Sequence, residues 1–587
     1  WDASTQLALQ LTVVPGVKDT PWFTDRMVVT IDETGKAVPF LDTSIGASQL
    51  DSLAPGKTPR AKAILAFLRG DRTREGTKVG QFRVRIGGLL GDIVDSQPVY
   101  VGPPRAPYLE ANDPGYTTNF RDVAAFKNRP ARIYVGANDG MLHAFDDNTG
   151  NEAWAFVPSD LYRPDDTGLG ALSYQDGALP PFKHHFYVDS TPRISDVNFG
   201  GGASDWHTML VGGLGKGGKS YYALDISQPS DITSETEAAK RVLWEFTDAD
   251  MGYTYGRAII AKTHAFGGEW LVIVPSGYNN ATGLGKVFFL RASDGKLLKT
   301  LSTGAGTATD PSGLAHIAAY EKDFRNQFAE QIYGGDLQGN FWRFDISDPD
   351  DSKWGAAEKI ADLTDPTGKP QAVTIPPQIE IDIANGIDRW VFIGTGRLLD
   401  DLDLTTSTIA NQVQTMYAFR DGTASAPIAP WPAALQPRAD MAAVTDAAGL
   451  AAKPDKGWYD DLPAGQRIVV PVQAALSLIA YVGTSPQTDP CLTGQPATLY
   501  GREYSRGNSL LVDDTGATVE SIFEAEGIVG LELVALSGGS SDSGAGGFPD
   551  LRIAITAGTP GKATGFVKPK APDFSQKHRM SWRLLGQ

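Results

Sequence analysis

A single cysteine, Cys491, in 587 residues excludes any internal disulfide, so packing and hydrogen bonds must hold this chain together. That thiol reads as a half-buried loop cysteine and assigns no compartment, because large exported domains with an adequate core need no staples. No run of about 18 apolar residues occurs, which leaves no transmembrane helix, and no basic segment followed by an apolar one opens the chain. Trp1 is not a natural start, so the chain is expected to be a piece of a longer precursor whose export signal lies elsewhere. Positive charge is also short. Against 69 Asp and Glu there are 52 Lys and Arg, a net charge of -17, which argues against the clustered cations that a nucleic-acid partner requires.

What is present is 41% hydrophobic and 21% charged, the composition of a folded globular chain. A chain this long exceeds one compact core unless the fold is a barrel, a propeller or a repeat. The repeat is visible. IYVGANDGMLHAFDDNTGNEAW at 133–154, MLVGGLGKGGKSYYALDI at 209–226 and IYGGDLQGNFWRFDI at 332–346 share one grammar: an apolar run, a glycine-rich turn, an aromatic strand. Related segments lie at 271–298, 391–421 and 479–511. The apolar runs suit inner strands packed on both faces. Asp139-Gly140, Asn148-Thr149-Gly150 and Asp294-Gly295 supply the positive φ that hairpin turns need.

Antiparallel units recurring at about 40 to 60 residues predict an all-β fold, a modified β-propeller of about seven blades with irregular insertions. Six blades are clear, and the seventh is expected to pair Val99–Val101 with strands around 551–556, with residues 580–583 as a clasp, since closure removes exposed edges. Long inserts at 159–181, 423–455 and 537–547 are expected on the rims, where partners would bind. Residues 1–88 read differently, as a small α/β lead-in to a propeller over 89–587. Ala63, Ile64, Phe67 and Leu68 have helical spacing over 58–69, and Gly70 follows as a C-cap.

These segments resemble the PilC/PilY family of pilus tip proteins. The resemblance is carried by GANDGMLHAFDDNTGNEAWAFVP at 136–158 and GGDLQGNFWRFDIS at 334–347. LGDIVDSQPVYVG at 90–102, VDSTPRISDV at 188–197, WEFTDADMGYTYGRA at 244–258, FIGTGRLL at 392–399 and KGWYDDLP at 456–463 follow in family order. The resemblance spans about Arg26 to Trp582. It implies the C-terminal propeller of a larger exported protein whose N-terminal half often carries a von Willebrand A-like region. It also implies a non-enzymatic role in type IV pilus assembly, control of retraction, twitching motility and adhesion. The partners implied are pilus tip or minor pilin subunits and a host or abiotic surface, at the outer cell surface or outside the cell.

Some family members hold calcium in an acidic D-x-D-x-D-x-x-x-D loop upstream of the GDLQGN segment. Here that stretch is AAYEKDFRNQFAEQIYGGD at 318–336, with Asp323, Asn326 and Glu330 as the oxygen ligands on offer. Lys322 and Arg325 put positive charge where a hard cation needs six to eight oxygens, so a solvated turn is the simpler reading. Asp400, Asp401 and Asp403 form a second acidic cluster without EF-hand spacing. Asp248 and Asp250 suit backbone capping better than metal. Arg69-Gly70-Asp71 spells an integrin-recognition triplet but ends a helix instead of tipping a loop.

LVGGLGKGGKS at 210–220 has the wrong spacing for a phosphate loop and continues as a strand, where a phosphate loop needs a helix N-terminus. His184-His185 lacks zinc spacing and reads as ordinary packing or surface. The rival from another class is a quinoprotein-like dehydrogenase propeller, which LHAFDDNTGNEAW at 142–154 resembles. Such enzymes usually stack a vicinal disulfide on the quinone, which one cysteine cannot form. No cofactor is therefore expected, with calcium the one candidate.

Overall fold

The glycine turns close hairpins. At Asp139-Gly140 the glycine takes φ +94°, the left-handed region that lets strand Arg132–Ala137 return as Met141–Asp146. The computed structural model describes all residues except 11–21, 176–180, 324, 384–385, 405–410, 430, 432, 487–494, 514, 526, 537–549, 558–564 and 571–587. Cys491, the 537–547 insert and the 580–583 clasp thus lie outside the described residues.

Among the described residues seven sheets follow one another along the chain, in two compact units. One unit comprises residues 1–282, 286–300 and 325–327, and the other residues 283–285, 301–324 and 328–587. In the second sheet Arg193–Asn198, Trp206–Gly213, Tyr221–Asp225 and Val242–Phe246 run as an antiparallel meander. The third sheet, from Ile259–Lys262 to Leu297–Ser302, and the fourth, from His316–Glu321 to Glu358–Asp362, have the same order. So has the sixth, from Gln473–Ala475 to Ile522–Glu524.

Alternation along each central strand explains the uninterrupted apolar runs. In the second sheet Leu210, Tyr222 and Leu224 enter the core shared with the first sheet, while Met209, Val211, Tyr221 and Ala223 enter the core shared with the third. In the fifth sheet Val391, Ile393, Tyr417 and Phe419 pack toward the fourth, and Trp390, Phe392, Met416 and Ala418 toward the sixth. A strand sandwiched between neighbours must be apolar on both faces, which is the arrangement of propeller blades.

The seventh blade and the inserts differ from expectation. Val99–Val101 is the edge strand of the first sheet and pairs with Arg132–Ala137. Residues 551–556 belong to Asp550–Ala557, which is filled on both sides by Ile528–Leu536 and Gly565–Val567. Among the described residues the seventh sheet is therefore built of late strands alone. The inserts are not free rim loops either. Leu161, Leu169 and Leu172 of the 159–181 insert are buried in the first core with helices Ala47–Leu53 and Thr58–Arg69. The 423–455 insert adds Ala442–Val444 as a parallel strand beside Gly457–Asp461 and buries Leu435 and Met441.

The N-terminal segment joins the same core. Val28–Ile31 adds parallel to Glu152–Val157, with Val29 opposite Phe156, and antiparallel to Ala37–Pro39, giving the first sheet six strands. Among the described residues no helix is long and apolar enough to cross a membrane.

Candidate functional site

Asp323 follows strand His316–Glu321, and Glu330 lies half-buried within strand Ala329–Gly335, with Asn326 in the connection. Among the described residues, no three His, Cys, Asp or Glu side chains gather as metal ligands. Asp400 and Asp403 converge on Arg397, whose guanidinium donates to Asp403 at 3.2 Å and to Asp400 at 3.1 Å. Asp403 also accepts the backbone N–H groups of Leu399 and Asp400, so a cation there would have to displace an internal one. The side chain of Asp401 lies outside those described. Asp248 accepts the N–H of Asp250, and Asp250 caps Thr282 while pairing with Lys286.

The Arg69-Gly70-Asp71 triplet is structural. Arg69 is 3% exposed and donates to Glu235 at 2.6 Å and to the carbonyls of Phe40 and Arg26. Gly70 closes the helix at φ +123°, and Asp71 accepts the N–H and hydroxyl of Thr73. The 210–220 segment is the hairpin between Trp206–Gly213 and Tyr221–Asp225. His184 bonds Asp92 at 2.8 Å.

Two constellations went unread in the sequence. The first is a buried relay. Arg26 donates to both oxygens of Glu152 at 2.6 Å, Glu152 accepts His143 Nδ1 at 2.7 Å, and His143 Nε2 meets Asp139 at 3.1 Å. Arg26 also donates to the carbonyls of Leu68 and Arg69, which ties the last turn of helix Thr58–Arg69 to the first sheet. Burial alone would push the His143 pKa down, but Asp139 and Glu152 outweigh it and hold it up at about 9. Burial would raise Glu152, but Arg26 and His143 hold it down at about 2.

The signs fix a window. His143, raised above its ordinary value near 6.5, contributes stability present below that value and lost as pH rises through about 9. Glu152, depressed from 4.5, contributes stability lost as pH falls toward about 2. Melting temperature is therefore expected to fall between about pH 6.5 and 9. His143→Gln should flatten that decline while lowering the melting temperature at neutral pH. An unchanged slope in the variant would contradict the charged-histidine reading.

The second constellation is a pair of aspartates at equivalent points of a repeat. Asp95-Ser96-Gln97-Pro98 leads into edge strand Val99–Val101 of the first sheet, and Asp189-Ser190-Thr191-Pro192 into edge strand Arg193–Asn198 of the second. The two D-S-x-P segments run together. Asp189 Oδ1 accepts the Asp95 N–H at 3.1 Å, and Thr191 Oγ1 accepts the Gln97 N–H at 2.9 Å and donates to the Asp95 carbonyl at 3.2 Å. Asp189 is 1% exposed and its Oδ2 has no hydrogen-bond partner, while Asp95 is at the surface. Burial first, and then the Asp95 carboxylate, push Asp189 up to about 8. The repeated tetrapeptide was the signal that sequence reading passed over.

The family model of the PilY1 beta-propeller domain matches residues 90–429, more than half of the chain. A type IV pilus biogenesis factor PilY1 homolog of Xylella fastidiosa is 35% identical over 378 residues, 62% of this chain and 28% of the relative. The type IV pilus biogenesis factor PilY1 of Pseudomonas aeruginosa strain PAK is 34% identical over 382 residues, 61% of this chain and 30% of the relative. The chain thus matches less than a third of the length of these curated relatives. The crystal structure of the Pseudomonas aeruginosa PilY1 C-terminal domain superposes with a TM-score of 0.59 at 22% identity, covering 81% of this chain and 99% of that domain. That likeness establishes the fold.

Proposed function

The chain belongs to the PilY1 beta-propeller family, and from that premise we propose that it is a non-enzymatic binding and assembly unit of type IV pili. The observation that supports this most is the family match over 90–429, with relatives named as pilus biogenesis factors. On this reading the parent protein is exported and sits at the pilus tip or outer cell surface. Its partners are pilus tip or minor pilin subunits and a host or abiotic surface, and it serves biogenesis, control of retraction, twitching and adhesion.

The physics suits a holder more than a catalyst. Sheets buried on both faces make a stiff body, so binding at its loops costs little reorganisation. Since the 159–181 and 423–455 inserts help form the cores, the surface favoured for a partner is the irregular segment between helix Thr58–Arg69 and strand Val99–Val101. There Val79, Val84, Ile86, Ile93 and Val94 are exposed, apolar and close in sequence. Pili sheared from cells should carry the parent protein, detected with an antibody against this domain. A pilus-less strain should yield none in the same fraction. Equal amounts in both fractions, or none in either, would count against placement on the pilus.

A further inference from the structure

We propose that Asp95 and Asp189 together bind a hard divalent cation between the loops that precede strands Val99–Val101 and Arg193–Asn198. Among the described residues neither carboxylate makes an ion pair with a Lys, Arg or His, although nearly every other buried acid of this unit does or is held by several donors. Asp189 accepts one backbone N–H at Oδ1 and nothing at Oδ2, from a side chain withdrawn from water. A buried carboxylate in that position is neutralised either by a proton or by a cation.

The surroundings choose between cation classes. Donors on offer are carboxylate oxygens, with no cysteine or ligating histidine among them, which suits calcium or magnesium over zinc. Asp95 lies at the surface, giving the ion a route in and leaving room for the waters that complete a shell of six or more oxygens. The charged and titratable groups facing the pair are few. Asp92, on the same loop as Asp95, is already held by Asn138 and His184. Lys216, on the 210–220 hairpin, interacts with Asp95 from beside the Phe186 ring. Tyr255, ahead of strand Ile259–Lys262, feels both carboxylates and has Tyr253 beside it. One lysine cannot balance two carboxylates, and a divalent ion can.

The repeat supplies the geometry: equivalent aspartates of successive D-S-x-P segments meet because their backbones run side by side.

The experiment uses the whole chain, melted with chelator, with millimolar calcium and with millimolar magnesium, at about pH 8 and about pH 5. At the higher pH a divalent ion should raise the melting temperature by several degrees, and at the lower pH the gain should shrink because the proton competes. Asp189→Asn should abolish the gain while melting in chelator at least as high as the parent, since the amide mimics the neutral acid. Asp323→Ala and Asp403→Ala should retain it. If Asp189→Asn fails to fold, Asp95→Asn and terbium luminescence sensitised by Tyr255 provide the second reading, with calcium displacing the terbium. The proposal is overturned by the absence of any metal gain at about pH 8, or by a gain that survives both aspartate variants. It is equally overturned if Asp189→Asn changes only the pH slope of a metal-indifferent protein, which would make the pair a proton site.

Discussion

Replacing Arg26 with Met should destabilise the first compact unit by about 3–5 kcal/mol, the largest effect expected of any single substitution in the N-terminal segment. The guanidinium is 2% exposed and satisfies four acceptors: both oxygens of Glu152 and the carbonyls of Leu68 and Arg69. Methionine fills much of the volume but leaves Glu152 charged and buried with His143 as its remaining side-chain partner. Adding Glu152→Leu should recover part of the loss, because removing both members of a buried pair costs less than stranding one. By contrast Lys62 and Asp42, paired at 2.8 Å but half exposed, should be replaceable with little consequence. Thermal unfolding of the four variants in parallel checks this. Equal loss from Arg26→Met and Lys62→Met would contradict the strut reading.

The same device recurs. Arg343 in the fourth sheet donates to both oxygens of Asp421 in the fifth at 2.7 Å, and Arg502 in the sixth pairs with Asp460 in the fifth at 2.8 Å. Buried arginines thus link adjacent sheets at defined points, adding direction to a contact that hydrophobic burial leaves non-directional. The apolar layers hold these sheets together, and the arginine pairs fix how they meet.

How much of this was readable beforehand depends on the range of the interaction. Hairpins were legible because turn glycines and two-faced strands leave a local mark: positive φ at Gly140, and runs such as Trp270–Pro275 with every residue buried. The partner of Val99–Val101 was not legible, since a short strand carries no signal of which edge it joins. The inserts misled for a related reason. Leu161, Leu169 and Leu172 pack from short 3-10 turns whose spacing matches neither helix nor strand, so their burial leaves no periodicity to read. Asp95 and Asp189 lie 94 residues apart, and only the identity of their flanking Ser and Pro residues connects them in the sequence. The stretch at 318–336 was conspicuous by its resemblance to a family calcium loop, whereas the acid at 189, with one oxygen left unpartnered, shows itself only through burial and donors taken together.

The larger functional effect is expected in the cell. If a stiff propeller presents the loops that hold pilus components, a parent protein without this domain should leave the assembly step without its holder, whatever the rest of the chain contributes. The direct measurement is the number of surface pili and the width of the twitching zone in a strain whose parent gene lacks this domain alone, complemented with the intact gene. The account predicts a severe loss of both, restored by complementation, with secretion of unrelated proteins unchanged. A deletion strain that assembles pili, retracts them and adheres like its parent would contradict the pilus assignment and leave the propeller fold standing alone.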